Sequence, residues 1–370
     1  MEECNNKILV SIVSPVYNAN NFLDVFLKSL IKQKYFNIEI ICIDDGSTDD
    51  SLKILEVYAK KDLRIKVLTQ KNQGAAAARN LGLSVAKGKY VIFLDSDDYF
   101  EPNLIEASVK QAEKFNADMV IFKAEAFDDI TGKTSPLNDR ISSLKEYQNK
   151  TFCYKDMPED ILNSFLIAPW NKLYRKIFLD KYGFQFQNVK RTNDLLFTSQ
   201  TLVMAEKIIL LDKVLVHYRT GQTKNLQSGN SKTPLDFYKA LYELKRYLDE
   251  KNLYEEVCKS YIKMVLDVIF YNLNSINSNE QIKELMQFFK QKGFKNLGVT
   301  DYEKLYKISL LGYLQYYFVM NAGIFNNVKL IRYLYKLFKV QQYLQISGIK
   351  GLMEKIKQNL IARRRKRKCK

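Results

Sequence analysis

Three carboxylates, Asp95, Asp97 and Asp98, follow directly on the apolar run of residues 91–94. Paired acids of this kind suit a hard divalent cation, Mg²⁺ or Mn²⁺, which is held by one or two carboxylates and fills its other positions with water and substrate phosphates. The spacing predicts a metal–diphosphate site with Asp97 and Asp95 as protein ligands. An EF-hand loop is excluded, because the sixth position counting from Asp95 is Phe100 instead of Gly, and Pro102 interrupts the loop. A polar turn capping the next helix is the plainer alternative. The rest of the chain argues against it.

Two further strand ends carry chemistry. Residues 38–43 run into Asp44-Asp45-Gly46-Ser47, and residues 8–16 end at Pro15-Val16, with Tyr17 beyond the tip. In an open α/β sheet, ligands bind at the carboxyl ends of the strands, so the three ends converge on one edge. A nucleotide fits there: Tyr17 can stack on a base, Asp45 can accept the N3–H of uracil, and a second acid can hold ribose hydroxyls. Gly74 to Arg79, Gly-Ala-Ala-Ala-Ala-Arg, keeps a helix start thin enough for a diphosphate to approach, with the Arg79 fork beside it. Pro15, Tyr17, Asp44, Asp45 and Arg79 are the candidate nucleotide-binding residues.

The elements that must position them alternate strand and helix. Strands are expected at 8–16, 38–43, 65–68, 90–94 and 119–122. Helices are expected at 21–33, after an N-cap at Ser47 or Thr48, at 74–86, and from Pro102 to about Asn116. That order specifies an α/β fold with a mostly parallel sheet. Residues 91–94 show no polar alternation, as befits a strand covered on both faces. Beyond a loop-rich stretch, Trp170 opens a helix to Lys181, Arg191 to Asp194 introduce another at 195–205, and strands follow at 208–210 and 214–218. From Pro234 the pattern is helical.

The 370 residues are 46% hydrophobic, which fills a real core. The net charge of +17 is uneven: residues 328–370 hold 14 Lys or Arg and one acid, leaving +4 for residues 1–327. The basicity belongs to an appended surface, which argues against a nucleic-acid-binding body. Five scattered cysteines without a Cys-x-x-Cys pair fit a reducing cytosol, and the polar, acidic first residues do not resemble an export signal.

In ordered conjunction, Val13-Ser14-Pro15-Val16-Tyr17-Asn18, Asp44 to Asp49, Asn72-Gln73-Gly74 to Arg79-Asn80, Gly88 to Asp98 and Trp170 to Arg175 resemble the inverting family-2 glycosyltransferases with the GT-A nucleotide-sugar fold. The resemblance covers roughly residues 8–220. It implies a nucleotide-sugar-binding half at 1–125, an acceptor-side half at 126–232 and a helical C-terminal region at 233–370. It also implies that Asp95 reaches ribose and that Trp170, Asn171 and Lys172 lie on the acceptor side, although Trp170 reads equally as core. Family members carry an acidic pair, usually Glu-Asp, that supplies the base; here the place reads Asn193-Asp194, so the role passes to Asp194 alone. His217, a late histidine such as some members use for metal, reads here as structural.

Lys329, Arg332, Lys336 and Lys339 recur at helical spacing opposite Val328, Ile331, Leu334 and Phe338, and Arg363 to Lys368 are all basic. That is the pattern of a helix lying on an anionic membrane surface. Together these features lead to a cytoplasmic enzyme peripheral to the inner face of the membrane. It moves a sugar from a UDP-type donor to a hydroxyl of a surface-glycan or lipid-linked precursor, with no specific nucleic acid as partner. The rival readings are a nucleotidyltransferase and a non-catalytic lipid- or nucleic-acid-binding module. The Trp170–Asp194 stretch counts against the first, and intact Asp95, Asp97 and Asp194 against the second.

Overall fold

The computed structural model describes residues 8–137, 140–220, 233–276, 278–301, 305, 307–321 and the single positions 333, 337 and 340. Four parallel strands, β1 (Val10–Val16), β2 (Ile38–Asp44), β3 (Ile65–Thr69) and β4 (Tyr90–Phe93), stand in the order β3-β2-β1-β4. Helices α1 (Asn20–Ile31), α2 (Ser51–Lys61) and α3 (Ala75–Val85) make the crossovers. The sheet continues through β8 (Lys172–Arg175), β6 (Met119–Asp128), β9 (Ile208–Thr220) and β5 (Tyr99–Phe100), with β7 (Lys133–Pro136) on β6. Because β8 runs antiparallel to both β4 and β6 while β9 is parallel to β6, the sheet as a whole is mixed and its β3-β2-β1-β4 half is parallel.

Two apolar cores explain the unalternating strands. Val13, Ile41, Val91 and Phe93 face one core; Ile12, Ile40, Ile92 and Leu94 face the other. Period-two side chains thus meet a layer on each side. The second core is closed by α1 and α4 (Leu104–Lys114). The first is closed by α3 and α6 (Asn193–Met204) and continues into α7 (Asp236–Glu250), α8 (Tyr254–Ser275) and α9 (Asn279–Phe288). The helical C-terminal region therefore shares a core with the sheet.

Several expected boundaries shift. Residues 172–175 form β8, and the helix α5 begins only at Lys176 and ends at Tyr182. Leu173 and Tyr174 are wholly buried between β4 and β6, so pairing on both sides overrides the helical pattern. Ser47 and Thr48 do not cap α2, which starts at Ser51. They lock the neighbouring loop instead: the Ser47 hydroxyl accepts from the Asn18 N–H, and the Thr48 N–H donates to Asn18 Oδ1. The two late strands are one, β9, with a register irregularity opposite Phe122 to Ala124. The predicted strand at 119–122 extends to Asp128.

Among the described residues, no helix is long and apolar enough to cross a membrane. The predicted basic helix face (Lys329, Arg332, Lys336, Lys339) and the Arg363–Lys368 run lie outside the described residues.

Candidate active site

Strand register builds one edge. Val16 pairs with Asp44 and Val13 with Phe93, so Pro15, Asp44 and Asp95 arrive side by side. Asp45 N–H donates to the Val16 carbonyl (2.8 Å) and Leu94 N–H to the Val13 carbonyl (3.0 Å), extending the ladders past the formal strand ends. Tyr17 stands at the tip with 49% of its surface exposed, free to take a flat ring.

The acid pair after β2 divides its work. Asp45 Oδ1 accepts from Gln70 Nε2 (2.7 Å) and Gln73 N (2.8 Å), and Oδ2 accepts from Gly74 N (2.8 Å). Both oxygens are thus committed to the loop that starts α3, where Gly74 takes a φ of 91° that a side chain would resist. Asp44 Oδ2 accepts from Ser47 N (3.2 Å), whereas its buried Oδ1 has no protein partner.

The acid turn after β4 is held from two sides. Arg79, buried in α3, donates from Nη2 to Asp95 Oδ1 (2.6 Å) and from Nη1 to Asn193 Oδ1 (3.0 Å), with its guanidinium 5.3 Å from the centre of the Phe186 ring. Phe186 stacks on Phe197 and meets Phe93 edge-on, an apolar floor that fixes the fork. From the other side, Arg219 at the end of β9 donates its backbone N–H to Asp98 Oδ1 (2.8 Å), Nε to the Asp97 carbonyl (2.8 Å) and Nη1 to Asp129. Burial first, then the charge of Asp95, pushes the Asp97 carboxyl up to about 6, against the pull of Arg219 and Arg79. Asp98 is raised well above the usual carboxylate range by burial and by both neighbouring acids, and its Oδ2 is buried without a partner.

This donor set fits a hard cation. It is all carboxylate oxygen, it is crowded with like charge, and Asp98 retains an orphaned oxygen, so a divalent ion there would relieve repulsion. Among the described residues no group of three or more His, Cys, Asp or Glu is arranged to hold a metal. The fit is to a site of one or two carboxylates completed by phosphate and water.

Asp194 belongs to the same neighbourhood. Its carboxyl is raised by burial; Arg79 and Lys172 oppose the rise and Asp95 adds to it, so all three charges lie within reach. Asn193, where an acid was expected, is the acceptor that ties Arg79 to the first turn of α6.

Trp170, expected as acceptor-side wall or core alike, is buried in the second core and stacks on Tyr218 at 5.6 Å. The phenol of Tyr218 is raised by burial and by Asp98, Asp97 and Asp95, which places it beside the acid turn. Asn171 and Lys172, expected on the acceptor side, are wholly buried. The Lys172 ammonium donates to the Leu166 and Ala168 carbonyls and to Asn171 Oδ1, each at 2.8 Å, and so braces the loop of residues 166–171. His217 has Glu125 at Nδ1 (2.9 Å) and Glu101 at Nε2 (2.8 Å) and stacks on Tyr99, a structural set of contacts. Arg219, Tyr218 and the Asn193–Arg79 bond carried no role in the sequence reading. For the first two a signal was present, because Tyr218 and Arg219 follow an apolar strand run as the acids do.

Comparison with known proteins agrees with this arrangement. The family model Glycosyl transferase family 2 matches residues 11–183. EpsH of Bacillus subtilis (strain 168), which carries a glycosyltransferase name, is 34% identical over 254 residues, spanning 68% of this chain and 72% of its own. The chain belongs to glycosyltransferase family 2. A relative with a longer match is the cholesterol galactosyltransferase of Borreliella burgdorferi, 28% identical over 328 residues and covering 83% of this chain and 88% of that one. Among solved structures, Staphylococcus aureus TarS 1–349 in complex with UDP-GlcNAc superposes with a TM-score of 0.65 at 21% identity, covering 86% of this chain and 93% of that one. The likeness establishes a shared GT-A fold that extends into the helical C-terminal region.

Proposed function

We propose that this glycosyltransferase moves one sugar from a nucleoside-diphosphate sugar, of the UDP type, to a hydroxyl of a surface-glycan or lipid-linked precursor by a single inverting displacement. The observation that carries the reading is the chain of contacts from Asp95 through Arg79 to Asn193, whose neighbour Asp194 lies within electrostatic reach of both Asp95 and Arg79. Tyr17 stacks on the base. Asp44, with an oxygen to spare, accepts from the base or ribose, and Asp45 shapes the Gly74 loop that approaches the diphosphate. Asp95 and Asp97 would hold Mg²⁺ or Mn²⁺, which when bound neutralises negative charge on the departing diphosphate.

Asp194 takes the acceptor proton. Its raised pKa brings it nearer the operating pH, which improves a general base, and a lone carboxylate suffices for inversion because no covalent intermediate needs a second one. A TarS structure holds UDP-GlcNAc and a Borreliella relative is named for galactosyl transfer, which supports a hexose or N-acetylhexosamine donor. Exposed Leu314, Tyr317, Tyr333, Leu337 and Val340, together with the basic sequence from residue 328 onward, support docking on the inner, cytoplasmic face of an anionic membrane.

The test is a panel of nucleotide sugars with Mn²⁺ and a soluble acceptor, scored for diphosphate release and for transfer. Asp194→Asn should keep UDP affinity and lose transfer by roughly 10²–10⁴-fold. Full transfer by that variant would remove Asp194 as the base.

A further inference from the structure

Five non-glycine residues among those described have a positive φ, and four of them are Asn, the residue type that tolerates this conformation best. The fifth is Thr192, at φ 56° and ψ 27°, a β-branched residue for which the left-handed region is a true outlier. It immediately precedes α6, and its side chain makes no capping bond that would repay the conformation. The residue after it is anchored. Asn193 is buried and accepts from Arg79, while Arg191 lies within electrostatic reach of Tyr271 in α8 and Asp236 in α7.

We propose that Thr192 and Asn193 form a latch: the Arg79–Asn193 bond draws the first turn of α6 against the acid turn, and the strained Thr192 backbone is the consequence. Both are positioning residues that act through Asp194, so the catalytic part of this inference rests on the base reading above. Strain at a functional site persists only where the surroundings over-determine it, and here the over-determining contact is identified.

Thr192→Gly removes the steric cost and frees the hinge. Its Tm should rise by about 2 °C and its kcat for transfer fall roughly tenfold or more, with UDP affinity and the donor KM unchanged. Thr192→Asn relieves the same strain but still favours the left-handed region, so it should raise Tm and keep kcat within about twofold of the parent. In an Asn193→Ala background the bond that imposes the strain is gone, and Thr192→Gly should no longer raise Tm. That cycle reads the latch without reference to activity. A fall or no change in Tm for Thr192→Gly, an equal rise in both backgrounds, or an unaltered kcat overturns the proposal. Undiminished transfer by Asp194→Asn overturns the base reading instead and leaves the Tm cycle to decide the latch.

Discussion

Asp97→Asn should stabilise the protein at neutral pH while destroying its activity. The Asp97 carboxyl has its pKa raised from 3.8 to about 6, so the folded chain holds that proton more tightly than the unfolded chain does. Folding therefore carries no penalty from this group below pH 3.8, an increasing one between 3.8 and 6, and the full one above. A rise of about two units at about 1.4 kcal/mol each gives roughly 3 kcal/mol at pH 7.5. Unfolding entropy of about 2.1 cal/mol/K per residue, taken over 370 residues, converts this to about 4 °C in Tm. The amide removes the penalty and also relieves Asp98, which feels the Asp97 charge. Thermal unfolding in excess chelator from pH 4 to 8 should show the variant and parent converging at the acid end and separating by a few degrees above pH 6. With Mn²⁺ and UDP added, the parent should gain stability and the variant should not. A variant less stable than the parent at pH 7.5 in chelator, or a difference that ignores pH, would refute the electrostatic account of the acid turn.

Two other outcomes follow from packing and from charge. Gly82→Ala should lower the urea midpoint by an amount worth roughly 1–3 kcal/mol, because its Cβ would stand 2.3 Å from Val13 Cγ1 and 2.7 Å from Ile43 Cδ1 where α3 crosses β1 and β2. Deleting residues 328–370 should abolish co-sedimentation with anionic liposomes while sparing transfer to a short soluble acceptor. Each Lys or Arg near such a surface contributes about 1 kcal/mol, so binding by the intact chain should also fade as salt rises. Binding that persists without the segment, or that never requires anionic lipid, would sink the membrane reading.

The sequence by itself determined the parallel half of the sheet and the edge where its acids gather. An apolar run long enough for one strand and ending in acid can be satisfied only by burial on both faces with the acids outside, and two such runs, with the apolar run that ends at Pro15-Val16 and helix-length segments between them, leave little choice of topology. It also singled out Asp194, because a carboxylate opening a helix in a family-like context needs no distant partner to be noticed.

Tertiary structure decided everything that depends on which distant residues meet. Residues 172–175 are a strand because β4 and β6 close on them, and local propensity holds no record of that. Lys172 became a buried brace because three loop oxygens surround its ammonium. Asp44 and Asp45 are neighbours in sequence, yet they separated in role once the Gly74 loop claimed both oxygens of one and left an oxygen of the other unpartnered. The Arg79–Asn193 bond spans 114 residues, and the residue just before Asn193, Thr192, holds a left-handed φ that no local pattern announces. Residue types announce what chemistry is possible, whereas hydrogen-bond commitment and backbone strain are properties of the assembled packing.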